Sequence, residues 1–379
     1  MEKYKYLEVF IDERLVGTLA LYKGQLVAFE YSNEWLGKGY SISPFSLPLQ
    51  QKVFIPKPDP FDGLFGVFSD SLPDGWGRLL VDRMLIKQGI QPATIDMLNR
   101  LAIVGGSGMG TLVYRPIHEL VTNNSQLEYD HLARECQQVL EEEYSEDLDQ
   151  LFKLGGSSGG ARPKILTKID GEDWIVKFPF SGDPQDSGLM EYQYSQCAKK
   201  CGIEMATTKL FPSATYKGYF GTKRFDRTLS KSGEINRIHM ITASALLETS
   251  HRMPTLDYNA LMALTLELTK DYSEVEKMYR LMCFNVFAHN RDDHSKNFAF
   301  LYDETRCKWS LSPAYDLTYS LSIGGEHATC VNGNGSDPSL RDILSVADII
   351  GIAKEKSKRI AVEIQEIVEE DLGSYLLGK

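Results

Sequence analysis

Asp292 and Asn297 stand five residues apart in the polar run Asn290-Arg291-Asp292-Asp293-His294-Ser295-Lys296-Asn297. A carboxylate can accept the proton of an attacking hydroxyl, and a carboxamide oxygen can hold a hard divalent cation. Five residues apart on one loop, the two suit phosphoryl transfer, where protein groups position the reactants and neutralise charge. One Asp and one Asn at this spacing are weakly specific alone. The run lies between an apolar stretch, Met278 to Phe287, read as a buried helix, and Asn297 to Tyr302, read as a short strand. A polar knot between buried elements is costly unless its groups are paired or do chemistry.

Phosphoryl transfer also needs cationic and backbone N–H groups to cradle phosphates, and a second oxygen ligand for the cation. Gly155-Gly156-Ser157-Ser158-Gly159-Gly160 precedes one strand, an Asp170-Gly171 turn, and a second strand, Trp174 to Phe178, that carries Lys177. A glycine-rich turn followed by a hairpin with a lysine in its second strand is the order of a protein-kinase N-lobe. A linker followed by a hairpin with Lys177 on a solvated face is the bland alternative. Glu191 then stands where a lysine-pairing carboxylate belongs, or is an exposed helix-start glutamate. Asp316 follows Asn297 by 19 residues, after a second short hairpin, where a metal-binding Asp belongs. A second glycine cluster, Gly105 to Gly110, follows a helix and precedes a strand. Phosphate loops run strand, loop, helix, so this cluster reads as a structural turn.

The elements that must position these groups follow from patterning. Residues 5–30 alternate as a β-meander, and 37–63 are loop and irregular strand. Helices are expected over Arg78 to Lys87, Thr94 to Val104 and Leu127 to Leu154, the last with Glu141-Glu142-Glu143 facing water. A domain boundary near residue 120 is marked by Asn123-Asn124-Ser125. Arg237 to Leu247 suits an interlobe connection, and the chain is mainly helical from 257. Residues 324–337 are rich in Gly and Asn and read as mobile, and Leu340 to Leu377 as two or three helices.

The chain has 379 residues, 42% hydrophobic and 25% charged, as in ordinary globular proteins. A net charge of −11 argues against nonspecific nucleic-acid binding through bulk charge. The six cysteines form no CxxC pair or zinc pattern and read as reduced thiols. With no signal-peptide h-region and no run of about 18 apolar residues, the expected location is cytoplasmic, with no membrane association.

Several motifs carry a resemblance: Gly-Gly-Ser-Ser-Gly-Gly-Ala-Arg-Pro-Lys, Trp-Ile-Val-Lys, Arg-Phe-Asp-Arg, Asn-Arg-Asp-Asp-His-Ser-Lys-Asn-Phe and Ser-Pro-Ala-Tyr-Asp-Leu. Together they resemble the HipA family of bacterial Ser/Thr kinase toxins over nearly the whole chain. Leu72-Pro73-Asp74-Gly75-Trp76-Gly77 and the meander resemble its small N-terminal subdomain. The resemblance implies an α+β, bilobal protein-kinase-like fold with a β-rich N-terminal subdomain (1–120), a β-rich N-lobe (121–240) and an all-helical C-lobe (241–379). It implies Asp292 as catalytic base, with His294 and Lys296 stabilising the phosphoryl group or bracing the loop. Asn297 and Asp316 match Mg²⁺ ligands. Ser157, Ser158, Gly159, Gly160, Ala161, Lys164 and Lys177 match the ATP-binding loop and strand, and Ile241 and Ala243 offer backbone to adenine. Ser157 is similar to the serine that family members autophosphorylate, with Ser158 adjacent. Where the family loop carries Gln-Glu, this chain has Arg162-Pro163. The implied cofactors are ATP and Mg²⁺. The implied partners are a helix-turn-helix antitoxin, operator DNA mainly through that antitoxin, and a protein substrate, typically an aminoacyl-tRNA synthetase. Two other readings stand beside it. One is a small-molecule kinase of the aminoglycoside type, although His289 is three residues before Asp292 and not two. The other is a pseudokinase scaffold that co-represses with an antitoxin.

Overall fold

A computed structural model describes residues 3–120, 128–141, 145, 147–180, 182–230, 233–253 and 255–376. The expected boundary near residue 120, with its Asn123-Asn124-Ser125 signal, runs into undescribed residues, as do Glu142, Glu143 and Leu377. The chain forms two compact units. The first comprises Met1–Gly188, Phe211–Ile241 and Ala245–Thr249; the second comprises Leu189–Leu210, Thr242–Ser244 and Ser250–Lys379.

In the first unit, the meander Tyr6–Ile11, Arg14–Tyr22 and Leu26–Tyr31 is joined at one edge by Leu112–Arg115 and at the other by Val53–Phe54. Its hairpins close on residues of positive φ, Asp12 (52°) in one and Lys23 (49°) with Gly24 (79°) in the other. That backbone matches the right-handed strand twist. Alternate residues Leu7, Val9 and Ile11 are fully buried, as period-two patterning requires. A second antiparallel arrangement places Lys164–Ile169 beside Glu172–Lys177, and the latter beside Tyr219–Lys223. Its buried face, Ile165, Trp174 and Val176, packs with Trp76, Leu80, Leu132, Cys136 and Leu151 in one apolar cluster.

The acidic stretch is two helices, Tyr129–Leu140 and Leu148–Gly155, where patterning suggested one. The second has Asp147 at its N-cap position. Helix starts also move: Gly75 rather than Arg78, and Met97 after a 3₁₀ turn, Pro92–Thr94.

In the second unit, helix Tyr272–Phe287 packs along Lys354–Leu376 and against Tyr258–Thr269. Asp257 and Asp271 cap two of these helices by accepting from Asn259 and Ser273 backbone N–H, which relieves donors that a helix start leaves unpaired. The helices are accompanied by a hairpin, Ala299–Asp303 with Lys308–Leu311. The Gly- and Asn-rich stretch departs from expectation. Thr329–Cys330 pairs in parallel with Leu256–Asp257, and Val331 and Asn334 close a tight turn. Thr329 is fully buried. Composition suggested mobility there, whereas long-range hydrogen bonds hold the segment.

Candidate active site

Within the first unit, the glycine-rich loop is held from two sides. Trp76 N–H donates to the Gly160 carbonyl at 3.0 Å, and Asp74 accepts from the Gly160 N–H. Trp76 Nε1–H donates to the Lys164 carbonyl at 3.1 Å. Approach here is close enough to demand glycine. A Cβ on Gly77 would lie 2.2 Å from the Ser158 carbonyl, and one on Gly75, whose φ is +43°, 2.5 Å from that of Gly160. The Leu-Pro-Asp-Gly-Trp-Gly motif is therefore the seat of the loop. The loop's two serines differ. Ser158 Oγ donates to the Gly155 carbonyl at 2.6 Å and is 4% exposed. Ser157 Oγ donates to the Ser107 carbonyl at 3.1 Å from a half-buried position.

The lysines of this unit form a second feature. The Asp170-Gly171 turn pairs Ile169 with Glu172, which puts Lys164 directly opposite Lys177. Opposite residues on adjacent strands share a face, and like charges so placed are destabilising unless something compensates. Lys164 Nζ reaches back to the Gly159 carbonyl at 2.6 Å. Lys177 Nζ lies 5.5 Å from the centre of the Phe220 ring. Two cations beneath a glycine loop with an exposed Gly159 suit an anion.

The second glycine cluster is a structural turn. Asp226, fully buried, accepts from the Gly110 N–H at 2.7 Å and from Arg224 and Arg227 at 2.7 Å each. Arg224 and Arg227 also donate to the Gly108 carbonyl, and Arg237 to that of Gly110. Burial alone would raise the Asp226 carboxyl; Arg224 and Arg227 outweigh it and hold the group below its ordinary range. The Arg-Phe-Asp-Arg motif thus clamps the cluster, and the Gly110 N–H, a donor that a phosphate would need, is taken by Asp226.

Within the second unit, the two adjacent aspartates have opposite environments. Asp293 is fully buried. Its carboxylate accepts from Tyr258 Oη at 2.8 Å and from the Thr329 N–H at 3.1 Å, and lies 3.0 Å from His327 Nδ1. The chain continues through Asn285, which donates to Tyr258 Oη, and Asn290, which donates to Asn285 Oδ1. Burial first, and the Asp293 charge next, push the Tyr258 hydroxyl well above its ordinary pKa, so it stays a donor. Asp292 is exposed. Pinning one aspartate inward turns its neighbour outward, toward solvent.

The rest of the loop follows. Asn297 Nδ2 donates to the Asp292 carbonyl at 2.7 Å, a bond that does not use Oδ1. Tyr315 Oη donates to the Lys296 carbonyl at 2.6 Å and so ties the loop to the residue before Asp316. Asp316 has φ +53°, a conformation non-glycine residues rarely adopt and one that gathers at functional sites. His294 meets His251 at a tilt of 58° with ring centres 5.4 Å apart, and its buried Nδ1 has no hydrogen-bond partner among the described residues. The hard oxygens of Asn297 and Asp316 fit a magnesium-like cation.

Family models match both parts of the chain: the HipA N-terminal domain over residues 7–115, and the HipA-like C-terminal domain over 156–372. The chain belongs to the HipA family. HipA of Shewanella oneidensis MR-1, solved with HipB and operator DNA, superposes with a TM-score of 0.70 over 98% of this chain and 91% of that one. At 16% identity that likeness is one of fold; the α+β, kinase-like fold expected from the sequence is found, but residues 241–379 are not all-helical, since they also carry the hairpin Ala299–Asp303 with Lys308–Leu311 and the pair Leu256–Asp257 with Thr329–Cys330. The Y4mE protein of Sinorhizobium fredii (strain NBRC 101917 / NGR234), named as a candidate kinase, is 26% identical over 352 residues, 84% of this chain and 78% of that protein.

In this HipA-family chain, sequence reasoning placed some groups and missed others. Glu191 is 5% exposed and lies inside helix Ser187–Lys200, which starts four residues earlier than expected. That removes the reading of an exposed helix-start glutamate. Ile241 and Ala243 are fully buried, and the Ala243 N–H is engaged by the Phe298 carbonyl at 2.8 Å. Tyr258, His327 and Thr329, which pin Asp293, were not foreseen. Each lies more than 30 residues from Asp293 along the chain, beyond any local pattern. No helix among the described residues is long and apolar enough to cross a membrane.

Proposed function

We propose that this chain is an ATP-dependent serine/threonine protein kinase that acts as the toxin of a toxin–antitoxin pair. The observation that carries the reading is the split between Asp293, clamped by three buried partners, and Asp292, exposed beside it. Asp292 accepts the proton of the incoming hydroxyl. Lys177 and Lys164 meet phosphate oxygens, aided by Ser157, Ser158, Gly159, Gly160 and Ala161, and Glu191 is the candidate lysine-pairing carboxylate. Ile241 and Ala243 offer backbone carbonyls to adenine. Asn297 and Asp316 would hold Mg²⁺, which would supply charge neutralisation at the phosphates. His294 and Lys296 stabilise the transferring group or hold the loop.

Ser157 is the self-modification site in this reading. Its hydroxyl is half-buried, whereas that of Ser158 is shielded. A phosphate would add roughly −1.5 to −2 charges and break its bond to Ser107. The likeness to a HipA solved with HipB and operator DNA supports a helix-turn-helix antitoxin as partner, which supplies most DNA contacts given the net charge of −11. The proposed substrate is a protein, an aminoacyl-tRNA synthetase being the class the family suggests, and the proposed location is cytoplasmic. The test is labelled ATP with Mg²⁺, the purified chain, a mixture of synthetases, and separately small alcohols. Label on a synthetase and on Ser157, absent in Asp292→Asn, is expected. Label on small alcohols alone, or ATP binding without transfer, would overturn the proposal.

A further inference from the structure

Behind the catalytic loop, the second unit contains a cavity of about 240 Å³ lined in part by His289, Arg291, Asp337 and Glu369. Typical drug-sized pockets occupy roughly 300–1,000 Å³, so this one suits a smaller molecule. Its charges are of both signs and do not neutralise one another. Among the described residues, Arg291 makes no ion pair, and its buried Nε has no hydrogen-bond partner. Among the described residues the exposed Asp337 carboxylate makes no hydrogen bond or ion pair, because the bonds of that residue with Asn334 use its backbone. The exposed Glu369 carboxylate accepts from Gln365 at 2.9 Å. A guanidinium and two carboxylates thus share one cavity without closing on each other.

That arrangement selects its ligand by exclusion. A plain anion would meet Asp337 and Glu369, and a plain cation would meet Arg291. A zwitterion satisfies both ends, with its carboxylate on Arg291 and its ammonium on the acids. Phe287, Pro338 and Leu376 supply the smaller, apolar part of a mostly polar wall, which suits a short aliphatic side chain. His289 completes the rim. Burial first, then Arg291 and His327, lower its pKa, so at neutral pH it adds a hydrogen-bonding ring and no charge. We infer that this cavity is a binding site for a free aliphatic α-amino acid, held by Arg291 at one end and by Asp337 and Glu369 at the other.

The site is tested without ATP, so its failure is separate from failure of the kinase reading. Full-length protein is titrated calorimetrically with L-leucine, L-isoleucine and L-methionine, and with 4-methylpentanoate and 3-methylbutylamine, which lack one charge each. Saturable binding of at least one amino acid is expected, at least tenfold tighter than either analogue. Arg291→Met and Glu369→Gln should each weaken it at least tenfold. Because Arg291 adjoins the catalytic loop, Glu369→Gln, on the last helix, decides if Arg291→Met fails to fold. No saturable heat from any of the three amino acids would overturn the assignment. So would equal binding by a singly charged analogue, or unchanged affinity in the Glu369 variant.

Discussion

Lys164 and Lys177 face each other across adjacent antiparallel strands, two like charges on one face beneath a glycine-rich loop. Opposing like charges cost a few tenths to about 1 kcal/mol, a cost that a bound anion would offset. Lys177→Met should therefore leave the thermal midpoint of the nucleotide-free protein unchanged or higher, while ATP-dependent transfer falls at least a hundredfold. Melting curves paired with transfer assays check both halves. A marked loss of stability would mean that the lysine is structural.

The adjacent aspartates should separate in the same way. Asp292→Asn removes an exposed general base, and transfer should drop by roughly 10²–10⁴ with little change in unfolding free energy. Asp293→Ala strips Tyr258, His327 and Thr329 of their shared acceptor and should cost about 3–5 kcal/mol. Urea unfolding of the two variants beside transfer rates gives the comparison. Equal stability losses would remove the distinction on which the choice of base rests.

Gly77→Ala places a Cβ 2.2 Å from the Ser158 carbonyl, against backbone that must move. Overpacking of this kind costs about 1–3 kcal/mol. Amide exchange at Ser157 to Gly160 should accelerate, because the loop loses its seat. Gly37→Ala, with open space around it and no positive φ, is the control and should be neutral or slightly stabilising.

His239 gives a pH signature. It is buried, donates through Nε2 to the Ile42 carbonyl, and burial lowers its pKa to about 4 from 6.5. Below pH 6.5 the unfolded chain takes up a proton that the folded chain refuses, so stability falls as pH drops from about 6.5 towards 4. The integrated loss is about 3 kcal/mol. His239→Gln should flatten that part of the stability profile measured by urea titration at several pH values. An unchanged slope would place the acid sensitivity elsewhere.

Much of this was legible in the residues. The Asp170-Gly171 turn announces its hairpin, and counting outward from it pairs Lys164 with Lys177 without any structure. The spacing of Asp292 and Asn297 survives as one loop because Asn297 bonds back to the Asp292 carbonyl. Asp293 was harder. Nothing near it in sequence says that it is buried, because its partners arrive from Tyr258, His327 and Thr329. The Gly- and Asn-rich stretch misled for the same reason: composition reports local preference, whereas Thr329 is held by an aspartate 36 residues away. The split of the acidic helix fell where Asp147 takes an N-cap position, a polar signal hidden among other acids.

The Arg224–Asp226–Arg227 clamp has a consequence for synthesis. Gly110 leaves the ribosome 116 residues ahead of the Asp226 that accepts its N–H. At roughly 5–20 residues per second, the nascent N-terminal domain waits on the order of ten seconds for the carboxylate that completes it. Until then its second glycine cluster lacks the partners that hold it. The region matched as the HipA N-terminal domain is continuous in sequence, yet its last bonds are made only after the glycine-rich loop and both lysines have emerged.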